Sequence, residues 1–218
     1  MEISWHLIWD IIIHLNDYLV LLIQNYGNIA YMIIFLIIFC ETGLVIFPFL
    51  PGDSMIFIIG ALGANGEINL LLIAGLMMAA AILGNEVNFR IGRYLGPIVF
   101  EKDFRFLKKE YLYQTQEFFA RHGNKTIFLA RFFPIIRTFA PFIAGVGNMN
   151  RRVFTIFNGL GSICWVLIFL LGGYVFGNIP QVENNFTLCI FGIIFITMIP
   201  AFLAALKARR DSKKASSR

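Results

Sequence analysis

The sequence predicts an all-α integral membrane domain, built as an inverted repeat of a re-entrant helical hairpin plus a transmembrane helix. Three observations predict it: a composition suited to lipid, apolar runs that stop short of a full crossing and meet at Pro-Gly breaks, and charged residues stranded inside those runs. Of the 218 residues 58% are hydrophobic and 14% charged, and the mean hydropathy is +0.75. A soluble globule carries about 25% charged residues, so lipid must replace water as the main solvent. At about 20 apolar residues per crossing, the chain has room for only a handful of spans.

The elements follow in chain order. Residues 1–25 form an N-terminal helix with a polar stripe, His6, Asp10, His14 and Asp17, on one face. That spacing suits the wet side of an interfacial or bundle-edge helix, and no metal is assigned to it. The start Met-Glu-Ile lacks a basic leader, so no removable signal is expected. Residues 29–65 form re-entrant hairpin 1: two apolar arms, each short for a crossing, flank the break at Pro51 and Gly52.

Residues 67–96 are a transmembrane helix that ends at Gly96 before Pro97, with Arg93 snorkelling to the interface. Residues 101–121 mix charge with aromatics, as an amphipathic interfacial helix does. Residues 126–149 hold two arginines and the breakers Pro134, Pro141 and Gly145, and form re-entrant hairpin 2. Residues 151–177 and 183–206 are transmembrane; Val153 to Phe176 and Phe186 to Leu206 carry no charge. These elements make one membrane domain, 1–206, followed by a basic tail, 207–218. Cys40, Cys164 and Cys189 lie in apolar runs without paired spacing and read as small buried hydrophobes.

Six of the eighteen basic residues lie between Lys102 and Lys125 and six between Lys207 and Arg218. The positive-inside rule puts both segments in the cytoplasm, which makes this a multi-pass protein with a cytoplasmic C-terminus. Nucleic-acid binding is the rival source of basic runs; these flank membrane segments, and topology explains them better. Parity then makes the two hairpins enter from opposite faces. In transporters built on such inverted repeats, substrate and coupling ion meet near the midplane.

Glu41, Asp53, Arg131 and Arg137 all fall at membrane depth. Each costs about 2.5 to 3.5 kcal/mol on insertion scales, and on the order of 10 kcal/mol jointly if unpaired. Hairpin 1 carries the acids and hairpin 2 the bases, so the sequence predicts a central polar pocket in which Glu41 and Asp53 face Arg131 and Arg137. Guanidinium forks suit phosphate, and a carboxylate withdrawn from water can carry a proton. The plainer reading is a static ion-pair clasp between the hairpins.

Phe39-Cys40-Glu41-Thr42-Gly43, Phe49-Leu50-Pro51-Gly52-Asp53-Ser54, Gly92-Arg93, Ala130-Arg131-Phe132-Phe133-Pro134-Ile135-Ile136-Arg137-Thr138-Phe139-Ala140-Pro141, Ala144-Gly145 and the run from Trp165 through Gly172-Gly173-Tyr174 resemble, nearly end to end, the DedA family. That family lies within the group of SNARE-associated Golgi protein (VTT-type) domains that includes eukaryotic lipid scramblases. The resemblance implies a bacterial inner-membrane protein that supports envelope integrity. Family members are implicated in returning undecaprenyl phosphate across the membrane and in proton-dependent stress tolerance. It also implies functional roles for Glu41, Asp53, Arg131 and Arg137. The chain departs from the family where relatives carry a Gly-Asp pair: here the run is Gly84-Asn85-Glu86, so Asn85 and Glu86 are not assigned a role.

The function expected is therefore a proton-linked flippase whose partners are an anionic polyprenyl-phosphate lipid, protons and membrane lipids, with no nucleic acid and no cofactor. A proton-coupled transporter of small ions or drugs, and a structural membrane protein that transports nothing, are the alternatives. An enzyme is not expected: the histidines, His6, His14 and His122, are remote in sequence from the arginines, and no nucleophile has a matched base.

Overall fold

The computed structural model describes residues 15–44, 52–64, 66, 68–101 and 125–177. Seven helices and no strand lie among the described residues: α1 (Leu15–Tyr26), α2 (Asn28–Gly43), α3 (Gly52–Ala64), α4 (Leu70–Glu101), α5 (Lys125–Ala130), α6 (Pro134–Val146) and α7 (Arg151–Gly177). Pro51, His6, Asp10, His14, His122 and Cys189 fall outside the described residues, as do the interfacial segment after Glu101, the span 183–206 and the tail 207–218.

Local chemistry sets the boundaries. Gly27, at φ 48°, turns the chain between α1 and α2 in a region that other residues enter only at a cost. Asn69 Oδ1 accepts from the Leu72 backbone N–H at 3.1 Å and caps α4, and the Asn69 N–H donates to the Tyr31 hydroxyl at 3.0 Å. Asn150 Oδ1 likewise accepts from the N–H of Arg152 at 2.9 Å and caps α7. Pro134 opens α6, where the missing N–H is no loss.

The burial pattern is that of a protein dissolved in lipid. Leu83 on α4 and Ile156, Leu160, Ile168 and Leu171 on α7 face outward, whereas Asn85, Asn88, Asn158 and Ser162 on the same helices are buried. Leu70–Gly96 and Arg151–Phe176 are long and apolar enough to cross a membrane, with mean hydropathies of 2.0 and 2.1. Helices α3 and α6 have 13 residues each, about 20 Å at 1.5 Å per residue, which is short of a 30 Å hydrocarbon core. Every residue from Gly52 to Leu62 is buried, so α3 is enclosed by protein on all sides.

Each long helix is shared. Helix α4 packs against α2 from the same half and against α6 from the later part of the chain; α7 packs against α5 and reaches back to α3. Glycines make the crossed contacts close. A Cβ on Gly60 would meet the Leu170 carbonyl and one on Gly173 the Phe57 carbonyl; in the same manner Gly92 abuts the Phe142 carbonyl and Gly145 the Phe89 carbonyl. In both pairs each glycine follows its helix's contact carbonyl by three residues: Phe57/Gly60 against Leu170/Gly173, and Phe142/Gly145 against Phe89/Gly92. Gly145→Ala should therefore lower stability by about 1 to 3 kcal/mol through overpacking. Gly159→Ala, where a Cβ meets nothing within 4 Å, should be neutral or stabilising by up to about 1 kcal/mol. Thermal unfolding of both variants in detergent tests the contrast.

Three sequence expectations need correction. Pro141 and Gly145 do not break hairpin 2, because α6 runs through both; the interruption is the turn at Arg131–Phe133, and Gly145 instead admits the α4 backbone. Helix α4 passes Gly96 and Pro97 and continues to Glu101, since one proline removes a single bond from a long ladder. Cys40 is half-buried and Cys164 exposed: an apolar run in such a fold has a lipid-facing side as well as a buried one.

Candidate functional site

The C-terminal end of α2, the first turn of α3, the turn between α5 and α6 and the middle of α7 converge on one buried cluster. Glu41 comes from α2 and is 3% exposed; Asp53 lies in the first turn of α3, where the helix N-terminus favours a carboxylate. Arg137 sits one turn into α6 and reaches both acids. Its Nη2 donates to Glu41 Oε1 at 2.8 Å and its Nη1 to Asp53 Oδ1. Gly52 leaves the Glu41 carboxylate its place, since a Cβ there would meet it and force it to shift.

Trp165 closes the cluster from α7. Its indole N–H donates to Asp53 Oδ1 at 2.9 Å, and its ring lies 5.1 Å from the Arg137 guanidinium carbon and 5.6 Å from that of Arg131. Two cations thus lie against one aromatic ring, a favourable contact in a site shielded from water.

Arg131 occupies different surroundings. It lies in the turn after α5 and is 4% exposed, and its Nη2 donates to Asn158 Oδ1 at 2.9 Å and to the Ala81 carbonyl at 3.3 Å. Among the described residues it makes no ion pair, and its Nε has no hydrogen-bond partner. Glu41 Oε2 is likewise without one. Glu41, Thr42, Asn85, Arg131, Arg137, Thr138 and Trp165 enclose a cavity of about 10 Å³, room for roughly one water.

The four charged residues predicted from sequence are therefore brought together, with both acids on Arg137 and Arg131 beside them. Of the predicted breaks, Gly52 and Pro134 lie at helix starts next to this cluster.

Sequence reasoning missed the polar groups around the charges. Asn88 Nδ2 ties α4 to the carbonyls of Thr42 on α2 and Thr138 on α6 at 3.2 and 3.0 Å. Asn158 Nδ2 donates to the Ile82 carbonyl at 3.1 Å, and the Ser162 hydroxyl to the Asn158 carbonyl at 2.6 Å. Glu86, left without a role, accepts from Arg151 Nε at 2.7 Å and the Thr155 hydroxyl at 3.1 Å. The signal was present: Arg151, Thr155, Asn158, Ser162 and Trp165 recur at spacings of four, three, four and three, one face of a helix. A count of charges alone passes over it.

Comparison with known proteins assigns the fold to a family. The model of the VTT domain matches residues 50–175, and protein DedA of Escherichia coli (strain K12) is 44% identical over 219 aligned positions, 99% of this chain and all of that protein. This chain belongs to the DedA family. A membrane protein of Mycobacterium tuberculosis (strain ATCC 25618 / H37Rv) is 40% identical, covering 87% of this chain and 85% of its own length. The inner membrane protein YqjA of Escherichia coli (strain K12) is 31% identical over 79% of this chain and 80% of its own. No solved structure matches. With the names of its DedA family relatives, the two long apolar helices and the lipid-facing surface identify a helical membrane protein.

Proposed function

We propose that this DedA family protein moves an anionic lipid, of the undecaprenyl phosphate type, across the bacterial inner membrane in a proton-linked cycle. One observation carries the reading: two guanidinia and two carboxylates meet where interrupted helices converge, and Glu41 and both arginines line a small cavity there. A clasp alone would put each base on an acid. Here one base is left facing neutral groups, which suits a site that receives an anion from outside.

The architecture supports the same reading. Residues 29–65 and 126–149 act as re-entrant hairpins, each giving a 13-residue second arm to the long helix of the opposite half. Matched glycine contacts with the same three-residue offset support an inverted repeat, the design that lets a site open to either side by rocking one half on the other. A cavity of about 10 Å³ cannot hold a phosphate, so the present arrangement corresponds to the occluded step. The carboxylates supply the proton linkage: when Glu41 takes a proton, its hold on Arg137 weakens and the hairpin tips separate. The lipid tail stays in the bilayer while the head group crosses.

Proteoliposomes carrying a fluorescent polyprenyl phosphate in one leaflet test this. Exchange should exceed that of protein-free vesicles by about tenfold or more, a barrier difference of about 1.4 kcal/mol, and an imposed pH gradient should change the rate. Equal exchange with and without protein removes the transport reading, and indifference to the gradient removes the proton linkage.

A further inference from the structure

The two arginines, alike in sequence context, have different partners, and the difference divides their labour. Arg137 carries one carboxylate on each Nη. Arg131 is the more deeply buried of the two and shares its cavity with Glu41, but its hydrogen-bond partners among the described residues are neutral: Asn158 Oδ1, the Ala81 carbonyl and the Asn85 carboxamide. We propose that Arg131 alone receives the phosphate group of the substrate, with Asn158 and Asn85 as neutral place-holders for its oxygens, while Arg137 is given over to Glu41 and Asp53 as the proton-released link between the hairpins. This rests on the transport reading above and assigns the binding step within it.

The amides suit the place-holder role. Asn158 carries a Ser162 hydroxyl on its backbone carbonyl and an Ile82 carbonyl on its Nδ2, so its Oδ1 is held toward Arg131. The Asn85 carboxamide fits in one sense, its Nδ2 donating to the Thr42 carbonyl at 3.1 Å and its oxygen accepting from Arg131 Nη2 at 2.5 Å. A guanidinium held by amide oxygens remains a full cation, and an arriving phosphate displaces weak acceptors rather than a carboxylate. The free Arg131 Nε points to a donor still to be used. A phosphate taking Nε and one Nη makes the two-point contact that lysine cannot.

Asn158→Asp is the deciding variant, because it sets a permanent anion where the ligand's oxygen would go. The full-length protein in nanodiscs is titrated at neutral pH with farnesyl phosphate, and separately with inorganic phosphate, reading the rise in melting temperature that a bound ligand produces. Wild type should respond to farnesyl phosphate. Response to inorganic phosphate as well means that the head group suffices, and its absence means that the chain contributes; both agree with the proposal if Asn158→Asp and Arg131→Lys weaken binding by about tenfold or more. Binding by Asn158→Asp within twofold of wild type overturns it.

Unliganded stability gives a second measurement. Arg131→Gln removes a cation that makes no direct ion pair among the described residues and should lower the melting temperature less than Arg137→Gln does; equal destabilisation by the two overturns the division. Wild-type protein that binds neither probe overturns the transport reading itself, a result distinct from binding that survives in the Arg131 and Asn158 variants.

Discussion

Arg137→Gln is expected to be the most destabilising single change of the four central charges, lowering the unfolding free energy by about 3 to 5 kcal/mol. The reason is what remains: Glu41 and Asp53, both buried and both on Arg137, become two uncompensated carboxylates in a site closed to water. Insertion of a protein with that defect should also suffer. The remedy is specific. Adding Glu41→Gln and Asp53→Asn to Arg137→Gln removes the stranded charge and should recover more than half of the loss, since neutral groups of the same shape can bond to one another. Unfolding of purified protein in mixed micelles measures both, and a triple variant no more stable than Arg137→Gln contradicts the charge argument.

The second large effect is expected at Trp165. Trp165→Phe keeps an aromatic ring but deletes the N–H that holds Asp53 and weakens the ring contact of both guanidinia. Losing a hydrogen bond to a charged group costs about 1.5 to 3 kcal/mol, and the weaker cation contact adds about 0.5 to 1 kcal/mol. Lipid exchange in vesicles should fall by about tenfold or more, the rate equivalent of about 1.4 kcal/mol. Phe169, which only stacks edge-on against Trp165, provides the comparison: Phe169→Leu should cost about 1 kcal/mol and leave exchange within threefold. If Trp165→Phe behaves like Phe169→Leu, the indole N–H has no part in organising the site.

Much of this was legible in the residues. Glu41, Asp53, Arg131 and Arg137 stand out because charge at membrane depth is costly enough to demand a partner, and short apolar arms around Pro-Gly announce interrupted segments. What the linear pattern does not contain is which base meets which acid. Arg131 and Arg137 lie six residues apart around Pro134, and only the direction taken by the chain at Phe133, extended at φ −116° and ψ 111°, sends one to the acids and the other to Asn158. Asn88 and Asn158 were overlooked for a different reason. Hydropathy averages them away within apolar helices, although a buried amide in lipid must be satisfied by protein as surely as a charge must. Pro141 misled because its effect depends on whether a neighbouring helix supports the chain, and α4 does.

The enclosure of α3 bears on how the molecule is made. Its full surface is covered only once α7 exists, yet α3 leaves the ribosome long before α7 is translated. Until then the nascent first half exposes an unfinished flank, with Asp53 lacking both the indole and the guanidinium that later secure it. Biogenesis must therefore hold α3 aside, at the translocon or under an insertion chaperone, and a ribosome stalled before Arg151 should yield a species sensitive to quality-control proteolysis rather than a stable half-protein.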